Sequence, residues 1–172
     1  METTDSDKHW YVVLTRTNSE RKVRDYFQLQ EVDTFLPVQN RVIEREGKRI
    51  ERERLLLPRM VFVHISRQEM AAVRSTLNVY DFLRDRSTGA PTCIPDAQMA
   101  DFRYMLDYSQ DQVILTGESI PKGTRVVVAK GDLQGLRGEL VRYNNKYHIL
   151  VRIDMFGSAM VSIPARYVRA EE

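Results

Sequence analysis

Side-chain chemistry needs nucleophiles, bases or metal ligands at workable spacing, and this 172-residue chain is poor in all three. Its three histidines, His9, His64 and His148, lie far apart in sequence, and no spacing such as HxxxH places two of them on one metal. The single cysteine, Cys93, cannot form a thiolate zinc site with its own kind, and it has no neighbouring base to activate it. Gly131, Gly135 and Gly138 invite comparison with a phosphate-cradling loop. However, no Gly-Lys-Ser/Thr follows them and no helix pattern opens to receive an anion. They read as turn glycines. No catalysis, cofactor or metal is expected, so any function would rest on surfaces.

The elements that carry such surfaces follow from periodicity. Residues 55–65, LLLPRMVFVHI, form the densest apolar run. It is too short for a membrane span and reads as a central strand over 60–65, buried on both faces, with Pro58 ahead of it. Residues 10–14, WYVVL, read as another strand. A helix over 19–30 follows, with Asn18 or Ser19 as its cap and Val23, Tyr26, Phe27 and Leu29 along one face. Residues 34–37 are extended up to Pro37. The charged stretch 40–54, NRVIEREGKRIERER, suits a helix by propensity, but Gly47 and the β-branched Val42, Ile43 and Ile50 predict a hairpin turning at Gly47-Lys48. Further helices are expected over 67–75, capped by Ser66, and over 97–108, capped by Asp96. The second has an apolar face of Met99, Phe102, Met105 and Leu106. A strand over 79–84 lies between them.

From residue 120 the texture changes to short apolar strands, 125–129, 138–143, 147–153 and 159–163, punctuated by glycines and by the tight-turn pair Asn144-Asn145. The fold class is therefore α+β: an N-terminal α/β sandwich of sheet and helices, followed by a small all-β barrel. The expected division is a disordered lead over 1–8, a first domain over 9–108, a linker over 109–119 and the barrel over 120–172. Charge divides similarly, with 17 basic and 19 acidic residues in 1–120 but 9 and 5 in 121–172. One cysteine forbids an internal disulfide and fits a reducing cytoplasm. The polar N-terminus does not read as a signal peptide.

Lys122-Gly123-Thr124-Arg125-Val126-Val127-Val128, followed by Gly131 through Val141 with its glycine turns, resembles the KOW motif. Trp10-Tyr11-Val12-Val13, Glu20, Lys22-Val23, Phe35-Leu36-Pro37, Leu57-Pro58, Val61-Phe62-Val63, Asn78-Val79 and Phe82-Leu83 resemble, in order and spacing, the NusG N-terminal domain. The resemblance covers nearly all of residues 9–170. It implies a non-enzymatic, cytoplasmic transcription elongation and antitermination factor, acting as a monomer. Its first domain would bind the clamp helices of RNA polymerase through an apolar patch of Leu14, Leu57, Met60, Phe62 and Leu83. Arg16 matches a basic position that faces non-template DNA in specialised relatives, and Arg21, Lys22 and Arg24 would extend it into a phosphate-binding patch. Phe156, beside Gly157, resembles the barrel-loop residue that contacts a small-subunit ribosomal protein or Rho. Some relatives refold this domain into helices, but the glycines and β-branched runs here predict strands. The chain departs from the family at Arg59-Met60, where Gly-Tyr or Asn-Tyr is usual, and this drift resembles specialised paralogues of the RfaH or UpxY kind. Arg45, Lys48, Arg49 and Arg52 of the hairpin would reach upstream DNA or the polymerase, with Glu44, Glu46, Glu51 and Glu53 interleaved to neutralise them. A ribosome-associated or RNA-binding KOW protein is the alternative, but such proteins are strongly basic and the net charge here is +2.

Overall fold

The structure, a computed structural model, describes residues 7–172, so nearly all of the expected lead over 1–8 lies outside the described residues. The chain divides into two compact units, 1–96 and 97–172. The division falls ahead of the stretch 109–119 that reads as a linker.

The first unit is organised on β1 (His9–Thr15), which pairs antiparallel with β5 (Met60–Ile65) in a register from His9↔Ile65 to Leu14↔Met60. The short β2 (Asp33–Phe35) flanks β5, while β6 (Val79–Phe82) and β7 (Cys93–Ile94) both pair with β1. Side chains alternate across a sheet, so this register sends Tyr11, Val13, Val61, Val63 and Ile65 to one face. There they meet Val23 and Phe27 of α1 (Glu20–Leu29) and Val73 of α2 (Met70–Arg74) in one buried cluster. On the other face Val12 and Phe62 are also fully buried. Burial on both sides accounts for the unbroken apolar run.

The second helix is shorter than its apolar pattern suggests, since residues Arg67–Glu69 form a 3-10 turn before α2. Its start is where Ser66 places it, with Glu69 accepting the Ser66 N–H at 3.2 Å. At α1 the expected side-chain cap is absent. Ser19 makes no such bond, and Asn18 turns the chain instead through a left-handed φ of 61°.

The charged stretch is a hairpin of β3 (Val38–Arg45) and β4 (Lys48–Leu55). Its turn is Glu46-Gly47, one residue earlier than Gly47-Lys48, because Arg45 pairs directly with Lys48. A two-residue turn of this hand needs positive φ at both positions, and Glu46 and Gly47 supply 54° and 75°. Val38 and Leu55, paired at the base, pack against the core of the first unit.

The second unit contains α3 (Asp96–Tyr108), whose Met99, Phe102, Met105 and Leu106 are buried as their spacing predicts. An antiparallel sheet of β8 (Ile114–Thr116), β9 (Thr124–Val128), β10 (Arg137–Tyr143), β11 (Lys146–Ile153), β12 (Gly157–Ser162) and β13 (Val168–Ala170) follows, in the order β13-β9-β10-β11-β12-β8. The four longer strands lie within a residue or two of the expected spans. The edge strands β8 and β13 are three residues each, too short to show a period, and β8 lies inside the expected linker. Asn144 and Asn145, at φ 49° and 62°, close the β10–β11 hairpin.

One buried carboxylate ties this unit together. Glu139 on β10, almost inaccessible, accepts two hydrogen bonds from Arg152 at 2.7 and 3.1 Å and one from the Gly123 N–H at 3.0 Å. Arg152 also donates to the Ile120 carbonyl at 3.0 Å, so the lead-in to β9 is fastened to the middle of the sheet. Gly123 fits because a Cβ there would collide with the Leu140 carbonyl.

Two stability predictions follow from these details. Replacing Glu46 by Asn should raise stability by about 0.5–1 kcal/mol, since Asn adopts the left-handed turn position at lower cost, and thermal unfolding would register it. The hydrogen-bonded Arg152 guanidinium holds the Glu139 carboxyl below the usual carboxylate range. A depressed pKa stabilises the fold above the unfolded value and loses that stabilisation as pH falls through the folded value. Glu139→Gln should therefore cost about 2 kcal/mol at neutral pH. In unfolding curves taken against pH, that deficit should shrink below about pH 4.

Candidate functional site

The antiparallel register assembles an apolar face from residues scattered over seventy positions. Leu14 pairs directly with Met60 and Val12 with Phe62, so all four share the sheet face opposite Val13 and Val61. The Leu83 N–H donates to the Val12 carbonyl at 2.8 Å, which continues the β6 register and puts Leu83 on the same face. Exposure divides the group. Leu14, Met60 and Leu83 are half-buried, whereas Phe62 has no accessible surface and packs near Phe35, ring centroids 6.0 Å apart. Leu57, half-buried, sits in the turn that leads into β5. A partner can touch Leu14, Met60 and Leu83 directly; Phe62 supports them from beneath.

Beside this face the chain makes a tight turn at Arg59, whose φ of 67° is left-handed. Three contacts fix it. The Arg59 N–H donates to Glu20 Oε1 at 2.9 Å, the Arg59 carbonyl accepts the Thr15 N–H at 2.9 Å, and Arg59 Nε reaches the Thr15 carbonyl at 3.4 Å. Gly and Asn adopt this conformation most cheaply. Arginine accepts the backbone cost and adds a side-chain bond back to β1. Glu20 is the residue whose role spacing could not reveal. An acid in the first turn of a helix reads as dipole complement, yet Glu20 is buried and serves the Arg59 turn.

The basic group is divided by the hairpin. Arg21 Nε bonds Glu53 at 3.0 Å, and Arg24 bonds Asp25 at 3.0 Å while approaching Glu53 at 3.8 Å. Arg16 and Lys22 are exposed and meet no carboxylate among the described residues. Lys22 lines a surface groove with Tyr26, Thr76, Leu77 and Asn78, and the Arg16 N–H donates to the Asn78 carbonyl at its margin. Tyr26 and Leu77 are exposed there. The groove combines one cation, Lys22, with an accessible ring, a pairing that suits an unpaired nucleic-acid strand.

In the second unit, Phe156 lies in the three-residue turn between β11 and β12, half-buried, next to exposed Met155 at a left-handed φ of 73°. The turn is held by a reciprocal pair: the Asp154 N–H donates to Gln98 Oε1 at 2.7 Å, and Gln98 Nε2 donates to Asp154 Oδ1 at 3.1 Å. Burial and the nearby Asp96 push the Cys93 thiol up, away from a reactive thiolate. No group of three His, Cys, Asp or Glu among the described residues is placed to hold a metal, and no described helix is long and apolar enough to cross a membrane.

An α/β unit with an apolar sheet face, followed by a unit built mainly of antiparallel strands, defines a two-part protein. The family described as transcription termination factor nusG matches residues 8–103, and the chain belongs to the NusG family. A solved structure of Thermotoga maritima NusG, reported for its domain interaction, shares 19% identity, covers 98% of this chain and 100% of that one, and superposes with a TM-score of 0.52, which shows the common fold. The MjSpt4:Spt5 complex, conformation A, is more distant, at 14% identity, 95% and 98% coverage and a TM-score of 0.31. Comparison with curated proteins finds no significant match.

Glu20→Ala should destabilise the first unit by about 2 kcal/mol, the cost of losing a hydrogen bond between a backbone N–H and a buried charged acceptor. Urea unfolding would measure it, and amide exchange at Arg59 should accelerate in the same variant.

Proposed function

We propose that this protein is a transcription elongation and antitermination factor that docks on RNA polymerase through the face of Leu14, Met60 and Leu83, with Leu57 at its rim and Phe62 behind. Membership of the NusG family, over the residues that build this face, is the observation that carries the reading. An apolar, half-buried patch on a rigid sheet suits the tips of the polymerase clamp helices, and the pliable thioether of Met60 adapts to them. Bridging the clamp would disfavour pausing. The groove at Arg16, Lys22 and Tyr26 would receive the displaced non-template strand, with Arg21 and Arg24 beside it held to Glu53. The turn at Phe156 would present an aromatic anchor to a ribosomal small-subunit protein or to Rho. The factor would act in the cytoplasm as a monomer, and its departure at Arg59-Met60 fits a specialised paralogue serving particular operons.

Met60→Asp places a charge on the docking face while leaving the cluster of Tyr11, Val13 and Val63 intact. Affinity capture of the variant should recover its fold, read by circular dichroism, but not polymerase subunits. Undiminished polymerase recovery would remove the docking face from this account.

A further inference from the structure

Tyr11 and Cys93 stand directly opposite one another where β1 pairs with β7. Alternation puts both, with His9, on the sheet face of Val13, opposite that of Leu14 and Met60. There the sheet, the 3-10 turn that opens at Arg67 and the loop ahead of β7 border a cavity of about 510 Å³. Its lining divides by chemistry. His9, Tyr11, Arg67 and Cys93 bring an imidazole, a phenol, a guanidinium and a thiol, while Met70 and Pro91 bring apolar surface. Asp7, which shares an adjoining recess with His9 and Arg67, is the one acid lining either space. Tyr11 is only 7% exposed, and its ring packs edge-on to Phe82 with centroids 6.0 Å apart. Its hydroxyl nevertheless has no hydrogen-bond partner among the described residues, where a buried phenol normally finds one. Arg67 likewise meets no carboxylate among the described residues. Burial, with Cys93 beside it, pushes the Tyr11 hydroxyl up against the opposing pull of Arg67. The Cys93 thiol is raised too, by burial and by Asp96 outside the lining. Both keep their protons at neutral pH and present donors.

We propose that this cavity binds a small organic anion, with its phosphate or carboxylate against Arg67, His9 and the Tyr11 hydroxyl and its apolar body on Met70 and Pro91. The donor set selects the charge. Guanidinium, phenol and thiol all offer protons, and only an acceptor-rich group satisfies them together. The size fits as well, since small-molecule sites span about 300–1,000 Å³ and combine apolar walls with a few polar groups. A nucleic-acid strand is the poorer match. One guanidinium beside Asp7 makes a single charged spot, not a stripe along which successive phosphates could lie. The cavity stands apart from the face of Leu14 and Met60, so this inference holds whether or not that face docks on polymerase.

Isothermal titration of the full chain tests this, with phenyl phosphate, benzoate, inorganic phosphate and phenol as probes. Phenyl phosphate or benzoate should bind about tenfold or more tighter than phenol, which lacks the charge, and than inorganic phosphate, which lacks the apolar body. The tighter of the two identifies the charged group. Arg67→Gln should weaken that probe by about tenfold or more, and Tyr11→Phe, which keeps the ring in the core, by about threefold to tenfold. Arg86→Gln, on an exposed loop, should change nothing. Cys93 is the chain's single cysteine, so iodoacetamide labels one position, and the saturating anion should slow that labelling several-fold. Should Tyr11→Phe melt early, Arg67→Gln, at an exposed position, carries the test. The inference is overturned if phenyl phosphate and benzoate both bind more weakly than about 10 mM, or if phenol or inorganic phosphate binds as tightly as they do. Unchanged affinity in Arg67→Gln at a native melting temperature, or unchanged labelling of Cys93 at saturation, overturns it equally.

Discussion

The first unit depends on the pairing of β1 with β5. Those two strands are separated by more than forty residues, and the chain between them contributes a helix, an edge strand and the whole charged hairpin. Closing so long a loop is entropically expensive, and the ladder from His9↔Ile65 to Leu14↔Met60 offsets it by burying apolar side chains on both faces. The same register decides which side chains are core and which are surface. A slip by one residue would send Val13 and Val61 to the face of Leu14 and Met60, and Leu14 and Met60 into the helix-covered cluster. Fold and site share one constraint here, so neither can drift without the other.

The far end of that ladder is held by a different kind of interaction. Beyond Leu14↔Met60 the strands part, and the Arg59 turn keeps them together through Thr15 and the buried Glu20. A carboxylate bonded to a backbone N–H specifies position more narrowly than apolar contact does. The first turn of α1 is thereby tied to the turn before β5, and the sheet face of Leu14 and Met60 inherits that rigidity. A left-handed arginine in such a place is a local conflict between residue type and backbone, and conflicts of this sort gather at functional sites.

Much of this was legible in the sequence. The apolar run at 60–65, the strand at 10–14, the helical face of Met99, Phe102, Met105 and Leu106, and the Asn144-Asn145 turn each follow from a local pattern that tertiary structure did not override. The hairpin was legible too, because Gly47 amid β-branched residues outweighs helix propensity. Four things were not. The edge strands β8 and β13 are too short for periodicity to register. Ser19 looks like a cap, but the side chain that matters at α1 is Glu20, and its partner lies thirty-nine residues away. Of the basic group, only Arg16 and Lys22 meet no carboxylate among the described residues, because Glu53 arrives from a strand whose register no local pattern discloses. Phe62 could be placed on the apolar face from its spacing, yet its complete burial is a property of packing.

The turn at Glu46-Gly47 has a consequence for the protein's electrostatics. Its length of two residues fixes which glutamates and arginines of β4 stand beside those of β3. The pairing keeps Arg41, Arg45, Lys48, Arg52 and Arg54 on one face and Glu44, Glu51 and Glu53 on the other. One residue added or removed there would rotate β4 by half a period, set Arg52 and Arg54 among the glutamates, and leave the isoelectric point almost unchanged. The field of the hairpin is therefore written in the length of a loop and not in its count of charged residues. Two homologues of identical composition could carry opposite potentials on the same ribbon.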